Sequence, residues 1–363
     1  MFRLPSPLPL IAAAIAAATP LGCGRAHDLG ADTTTTASAA GGAGSSSSGS
    51  SSSSSGAGGA SSSSSSSGSG GTGGIDTGPT GPTELTIVNG INDYPAIRLC
   101  FQPSETPWPT STDGLAFAAS AVVDPISTTI PTNVDVTPWA IAGELGLTAG
   151  KTCAQIFAMA AADPAKLVAA PLALVPKSVW ESKKSLLLVP NGCLGGPTHD
   201  DPAAKGACGM GYSAATPTAT IGIVSMSRVE DPVHVSLQIA SASPAIGEID
   251  VGLQANLSGS TPQGVVYALT QGAIGPNPPF AKLTAAELGP LDGVQIITYT
   301  PNSAAMTSTT LLGSVLANGG VSQDAIVNGA RLVLVAVGAG PGVPAASFWH
   351  ALTYTLVKAD PGP

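Results

Sequence analysis

The chain has 363 residues, a formal net charge of −9, 10% charged and 4% aromatic residues, and as many as 45 Gly and 32 Pro. Long surface helices need many Lys and Glu, so this profile predicts a mainly β fold of short strands and turns. Only Arg3 and Arg25 of the 13 basic residues, and Asp28, Asp32 and Asp76 of the 22 acidic ones, precede residue 84. The remainder is acidic, with Lys183 and Lys184 its one adjacent basic pair, which argues against phosphate-backbone binding and a nucleic-acid partner.

In chain order, residues 1–22 read as an export signal: Arg3, then the apolar run "LPLIAAAIAAATPLG", too short to span a bilayer comfortably. Leu21-Gly22-Cys23 resembles the lipobox of bacterial lipoproteins, in which the Cys is diacylated on sulfur and becomes the new N-terminus. The resemblance implies lipid attachment at Cys23 and a membrane partner through that lipid. Pro20 stands where lipoboxes carry Leu, Val or Ile, so ordinary signal-peptidase cleavage and an unmodified Cys23 stay open. Gly24, where inner-membrane lipoproteins carry Asp, implies by the same resemblance the outer membrane of a Gram-negative bacterium. Residues 23–83 are mostly Gly, Ser, Thr and Ala and cannot bury enough apolar surface to offset their conformational entropy. They are expected to be a disordered tether with an r.m.s. span of roughly 40–45 Å.

The rest divides into two expected β-sandwich domains, 84–230 and 231–363, through an internal repeat. "LTIVNGINDYPAIRLCF" (85–101) and "VSLQIASASPAIGEIDVGL" (235–253) are each strand, turn, strand, and Ile97-Arg98-Leu99 aligns with Ile249-Asp250-Val251 at an offset of 152 residues. The ends repeat as well: "KSLLLVPNG" (184–192) and "ARLVLVAVGAG" (330–340) run into glycine turns. Each is followed by a closing strand, within "TATIGIVSMSRV" (218–229) and "FWHALTYTLVKAD" (348–360). A short helix is expected before each closing hairpin, in "PKSVWESKK" and "SQDAIVNGA". A further crossing segment with helical spacing, "FAKLTAAELG" (280–289), would offer Leu283, Ala286 and Leu288 to a core.

The four cysteines besides Cys23 read as two disulfides in an exported chain, with three possible connectivities. Cys193 and Cys208 flank a Gly/Pro-rich loop that closes at small entropic cost, so they are paired, which leaves Cys100 with Cys153. The rival is a metal site, because His199, Asp200 and Asp201 lie in the same loop. No C-x-x-C spacing supports one, and neither a metal nor a cofactor is expected.

The order of apolar strand, small polar turn with Pro-Ala, and alternating strand resembles a secreted bacterial family known only as domain of unknown function 4397. Its opening reads roughly Val-x-Val-x-His/Asn-Ala-Ser-Pro-Asp-Ala-Pro-Ala-Val-Asp-Val. "NDYPAIRLCF" carries that core through Asp93, Pro95, Ala96 and Ile97; the second copy keeps Ser243, Pro244, Ile249, Asp250 and Val251 but lacks the Asp. The resemblance covers the first 15 to 20 residues of each copy and the closing hairpins. It implies tandem immunoglobulin-like β-sandwiches on a cell surface, without known catalysis. Alternating strands between Gly/Pro turns point independently to the same architecture.

No motif in the sequence carries a specific chemistry. His27 lies in the tether, His199 in the disulfide loop, and His234 and His350 in expected strands, and the folded part has no G-x-S-x-G to anchor a hydrolytic triad. "GAGPG" (338–342) lacks the Lys-Ser/Thr of a phosphate-binding loop. Glu230, Asp231, Glu248 and Asp250 are carboxylates without a paired context. Trp108 and Trp139, in expected loops, could serve as sugar platforms or pack at a sandwich end. The expectation is a lipid-anchored, non-catalytic cell-envelope protein that binds, adheres or builds structure at the cell surface, with a surface glycan or envelope protein as partner. The alternatives are an exported hydrolase or carbohydrate-active enzyme using the 192–212 loop, and a periplasmic assembly factor.

Overall fold

A computed structural model of the chain describes residues 84–124, 126–180, 184–255, 261–301 and 306–359. The signal, Cys23 and the tether lie outside the described residues. The described residues are mainly β, as expected, and form four sheets that pack as two sandwiches.

In the first sandwich one sheet orders its strands Leu115–Ala116, Ala96–Gln102, Thr137–Gly143 and Leu167–Pro171. The other runs Thr220–Met226, Ser185–Gly192, Glu84–Val88 and Ser120–Val123, with Gly90–Ile91 continuing the edge of Glu84–Val88 along Ser185–Gly192. The second sandwich repeats this plan. Ile274–Leu283, Val235–Ser241, Arg331–Val337 and Thr353–Lys358 form its inner sheet, and Gln263–Thr270, Glu248–Ala255, Val294–Tyr299 and Met306–Leu311 its outer one. The pairing follows the repeat: Leu85 lies opposite Leu186 in a parallel pair, and Leu237 opposite Leu332 in another. Arg98 faces Ile141 where Asp250 faces Tyr299.

Each sandwich has its own core, centred on Leu85, Ile87, Leu99, Phe101 and Leu188 in one and on Ile239, Val251, Ile296, Leu334 and Leu356 in the other. A third apolar cluster, containing Leu187, Val189, Val333, Val335, Val337 and Val357, joins the two inner sheets. Ser185–Gly192 is buried along its whole length because Leu186 and Leu188 point into the first core while Leu187 and Val189 point into the shared one. Arg331–Val337 divides its side chains the same way. Strands buried on both faces read as unbroken apolar runs, which is the meaning of "SLLLV" and "LVLVAV" in the sequence. Both sandwiches belong to one compact unit.

Several local expectations change. The two short helices are single 3-10 turns, Lys177–Val179 and Gln323–Ala325. In "FAKLTAAELG" the strand Ile274–Leu283 runs on to Leu283, and only Ala285–Leu288 is helical, capped by Thr284; Leu283 and Leu288 are buried but Ala286 is exposed. Trp139 sits on a strand, Thr137–Gly143, not in a loop. His234 and His350 stand just ahead of their strands, which start at Val235 and Thr353. At His234 the reason is Asp231, whose carboxylate accepts from the backbone N–H of Val233 and His234 at 2.9 Å and holds a turn in place of a strand.

The first sandwich covers its outer sheet. Helix Cys153–Ala162, started by a capping box between Thr152 and Gln155, packs Ile156 and Ala160 against Cys100, Ile141 and Leu167, and the Cys100–Cys153 disulfide fastens it. Arg98, 3% exposed, stands on this face. Its guanidinium donates to the carbonyls of Pro109, Thr110, Pro107 and Thr148 and to the Thr148 hydroxyl, and so ties down two loops without a carboxylate partner. Burial alone lowers its pKa, but an Arg so well supplied with acceptors stays charged.

Candidate functional site

A dense group of polar and aromatic side chains lies where three segments meet at one end of the inner sheets: the turn 92–95, the disulfide loop 193–212 and the segment 338–352. Parallel pairing brings the first two together, since Gly90 and Ile91 lie beside Asn191 and Gly192. Asp93, with no exposed side chain, is the centre. Its two oxygens accept from the backbone N–H groups of Leu194 at 2.9 Å and Gly195 at 2.7 Å, and Oδ2 lies 3.2 Å from Nδ1 of His199. The His199 ring, 8% exposed as a residue, is held between Tyr94 and Phe348, each 4.5 Å away between ring centres.

Two phenols complete the enclosure. Tyr94 donates to the Gly195 carbonyl at 2.8 Å and Tyr212 to the His199 carbonyl at 3.0 Å. Burial, and then the charge of Asp93, push both phenols well above the ordinary tyrosine range, so they stay protonated donors. Asn92 reaches the Ala207 carbonyl at 3.0 Å and accepts from the His350 backbone N–H at 2.9 Å. Cys193, Cys208, Ala204, Ala207, Ala339 and Trp349 form a small apolar core beneath.

The disulfides are Cys193–Cys208 and Cys100–Cys153. The three loop residues of the rival metal-site reading do not converge. His199 turns inward to Asp93, Asp200 is exposed, and Asp201 caps the 3-10 turn Pro202–Ala204 by accepting from Ala203 N–H at 2.8 Å. Among the described residues no group of three or more His, Cys, Asp and Glu side chains is placed to hold a metal ion. Asp250 accepts from the Ala268 N–H at 2.6 Å, Asp231 holds its turn and His234 at 3.1 Å, and Glu248 is exposed. Glu230 borders a groove of about 300 Å³ with Arg331 and Lys358. Trp108 packs half-buried on the first core, and Trp139 lies 4.5 Å from Phe157 under the covering helix.

The residues that build the site were not all visible beforehand. Asp93 stood out only through the family resemblance, and Asn92 and Phe348 had no signal, because their partners are distant in sequence: Asn92 meets His350 across 258 residues. Chemically, the Asp93–His199 pair has the form of an oriented base, yet both ring faces are packed and both Asp93 oxygens are already engaged. A further groove of about 350 Å³ follows the seam between the sandwiches, past Thr86, Ser120, Val122, Val321 and Lys358. No helix among the described residues is long and apolar enough to cross a membrane. Neither a protein-family model nor a curated protein matches the chain.

Proposed function

We propose that the protein is an exported, lipid-anchored envelope protein whose double sandwich is a non-catalytic module for binding or adhesion at the cell surface, held off the outer membrane by the 23–83 tether and anchored through Cys23. One observation carries this reading: strand Glu84–Val88 begins at the end of the sandwiches opposite the loop cluster. The four central strands begin around Arg228, whose guanidinium meets Ser185 Oγ at 2.8 Å and Glu84 at 3.6 Å and whose carbonyl accepts from Arg331 at 3.2 Å. They run from there to the disulfide-closed cluster at the far end. A tether entering at Glu84 would therefore present the loops 193–212 and 338–352 outward, where an envelope partner or glycan would meet them. The family 4397 resemblance points the same way, and Asp93 becomes a structural residue of that motif.

Protease treatment of intact cells tests the reading, because an open Gly/Ser tether is cut far faster than disulfide-linked sandwiches. Release of the 84–363 core into the medium is expected. A core that stays protected until the outer membrane is opened overturns surface display and leaves the periplasmic assembly role. The Asp93–His199 geometry favours one second reading, a hydrolase built on the 192–212 loop. His199→Ala would then abolish turnover of an ester or glycoside substrate while the fold persists, whereas the binding module keeps its partner.

A further inference from the structure

Two imidazoles cross the junction between the sandwiches in opposite directions. His199, from the first, stacks on Phe348 of the second at 4.5 Å and 6°; His350, from the second, stacks on Phe117 of the first at 4.0 Å and 7°. The backbone of His350 closes the same contact, its N–H on the Asn92 side chain and its carbonyl accepting from Ala339 at 3.0 Å. The charged and titratable groups around the pair are few. His199 faces Asp93, Tyr94 and Tyr212, with exposed Asp200 acting on Tyr212. His350 faces the Tyr94 backbone carbonyl and the charge of Asp93, while Phe117 and Asn92 contribute none. One buried carboxylate thus stands near two imidazoles and is already engaged by His199 and two backbone N–H groups.

We propose that this end of the junction is an acid-released latch: a proton on His350 creates a half-buried cation that no carboxylate among the described residues pairs with directly, and the segment 338–352 lifts from the turn 92–95 and the disulfide loop. The direction of titration agrees. Burial holds His350 below the ordinary histidine value, outweighing the Tyr94 hydrogen bond and the Asp93 charge that act the other way. The open form therefore takes the proton more readily than the closed one. The latch is fully closed above the ordinary histidine value of about 6.5 and loosens as the pH falls below it. Below this end the junction continues as an apolar cluster of Leu187, Val189, Val333, Val335 and Val337, and the charged groups of Glu84, Arg228 and Arg331 meet at its far end. Acid therefore opens one end and leaves the sandwiches joined, which changes the loop surface without unfolding the molecule.

Hydrogen exchange on the full chain at about pH 7.5 and about pH 5, corrected for intrinsic rates, tests the latch. The amides of Gly195, Ala339 and His350 are expected to lose protection about tenfold at the lower pH, while those of Leu187–Val189 and Val333–Val337 keep it. His350→Phe retains a ring on Phe117 and is expected to abolish the response. Equal protection of the junction at both pH values, an acid response that survives His350→Phe, or a loss shared by all strands would each overturn the proposal. Should His350→Phe fail to fold, an NMR titration of His350 in the native chain decides: a midpoint at or above the ordinary histidine value sinks the latch.

Discussion

The two sandwiches share one topology and, in their central strand pairs, one register, yet their outer sheets face different surroundings. In the first, Arg98, Cys100 and Trp139 point outward into a layer made by helix Cys153–Ala162, the Cys100–Cys153 bridge and the loops that Arg98 ties down. In the second, the matching positions are Asp250, Gly252 and Ile297, and the same face carries half-buried Tyr299 and, at 59% exposure, Tyr267. The inserted helix brings its own apolar stripe and so needs apolar residues beneath it. Without such a helix, Asp250 spends its carboxylate on the backbone of Ala268. A sheet face thus follows what the connecting segments supply, while the strand plan stays the same.

The largest test of this contrast is at the aligned pair. Arg98→Ala strands several buried carbonyls and is expected to destabilise by about 4 kcal/mol, whereas Asp250→Ala, at the same place in the open sandwich, should cost under about 1 kcal/mol. Urea unfolding of both variants checks it, and equal losses would break the comparison. Next comes the shared interior: Leu187→Ala should cost about 3 kcal/mol and loosen both sandwiches together, since its side chain belongs to the joint cluster. Two separated unfolding transitions in the native chain would show that the joint cluster does not couple the halves.

A smaller effect concerns pH. With its proton affinity lowered by burial, His350 contributes stability that is complete above about pH 6.5 and declines below it, so the melting temperature of the native chain should fall on acidification more than that of His350→Phe. Smallest is Tyr267→Ala, at a side chain 59% exposed, which is expected to change stability by no more than about 0.5 kcal/mol in the same urea assay.

Much of the fold was legible in the chain because it rests on local periodicity. Alternation in residues 96–102 and 248–255, glycine turns after 184–192 and 330–340, and the 152-residue repeat marked the strands and their duplication. Cysteine spacing pointed to the bridge between Cys193 and Cys208, since a short Gly/Pro loop closes easily. The limits of Ala285–Leu288 and the position of His234 differ from the sequence reading, because turn hydrogen bonds to Asp231 and Thr284 interrupt patterns that periodicity alone would continue.

The candidate site was hardly legible at all. That Asp93 would take Leu194, Gly195 and His199, and that His350 would lie on Phe117, depended on contacts more than 100 residues apart. Amino-acid sequence by itself determined a mainly β double sandwich with two disulfides, because strand propensity, turns and loop closure act between near neighbours. Only the tertiary structure decided that the sandwiches share an interior and meet in a polar, aromatic junction. Burial on a second face, and the pairing of a buried carboxylate with an imidazole, come into being only when distant strands are brought together.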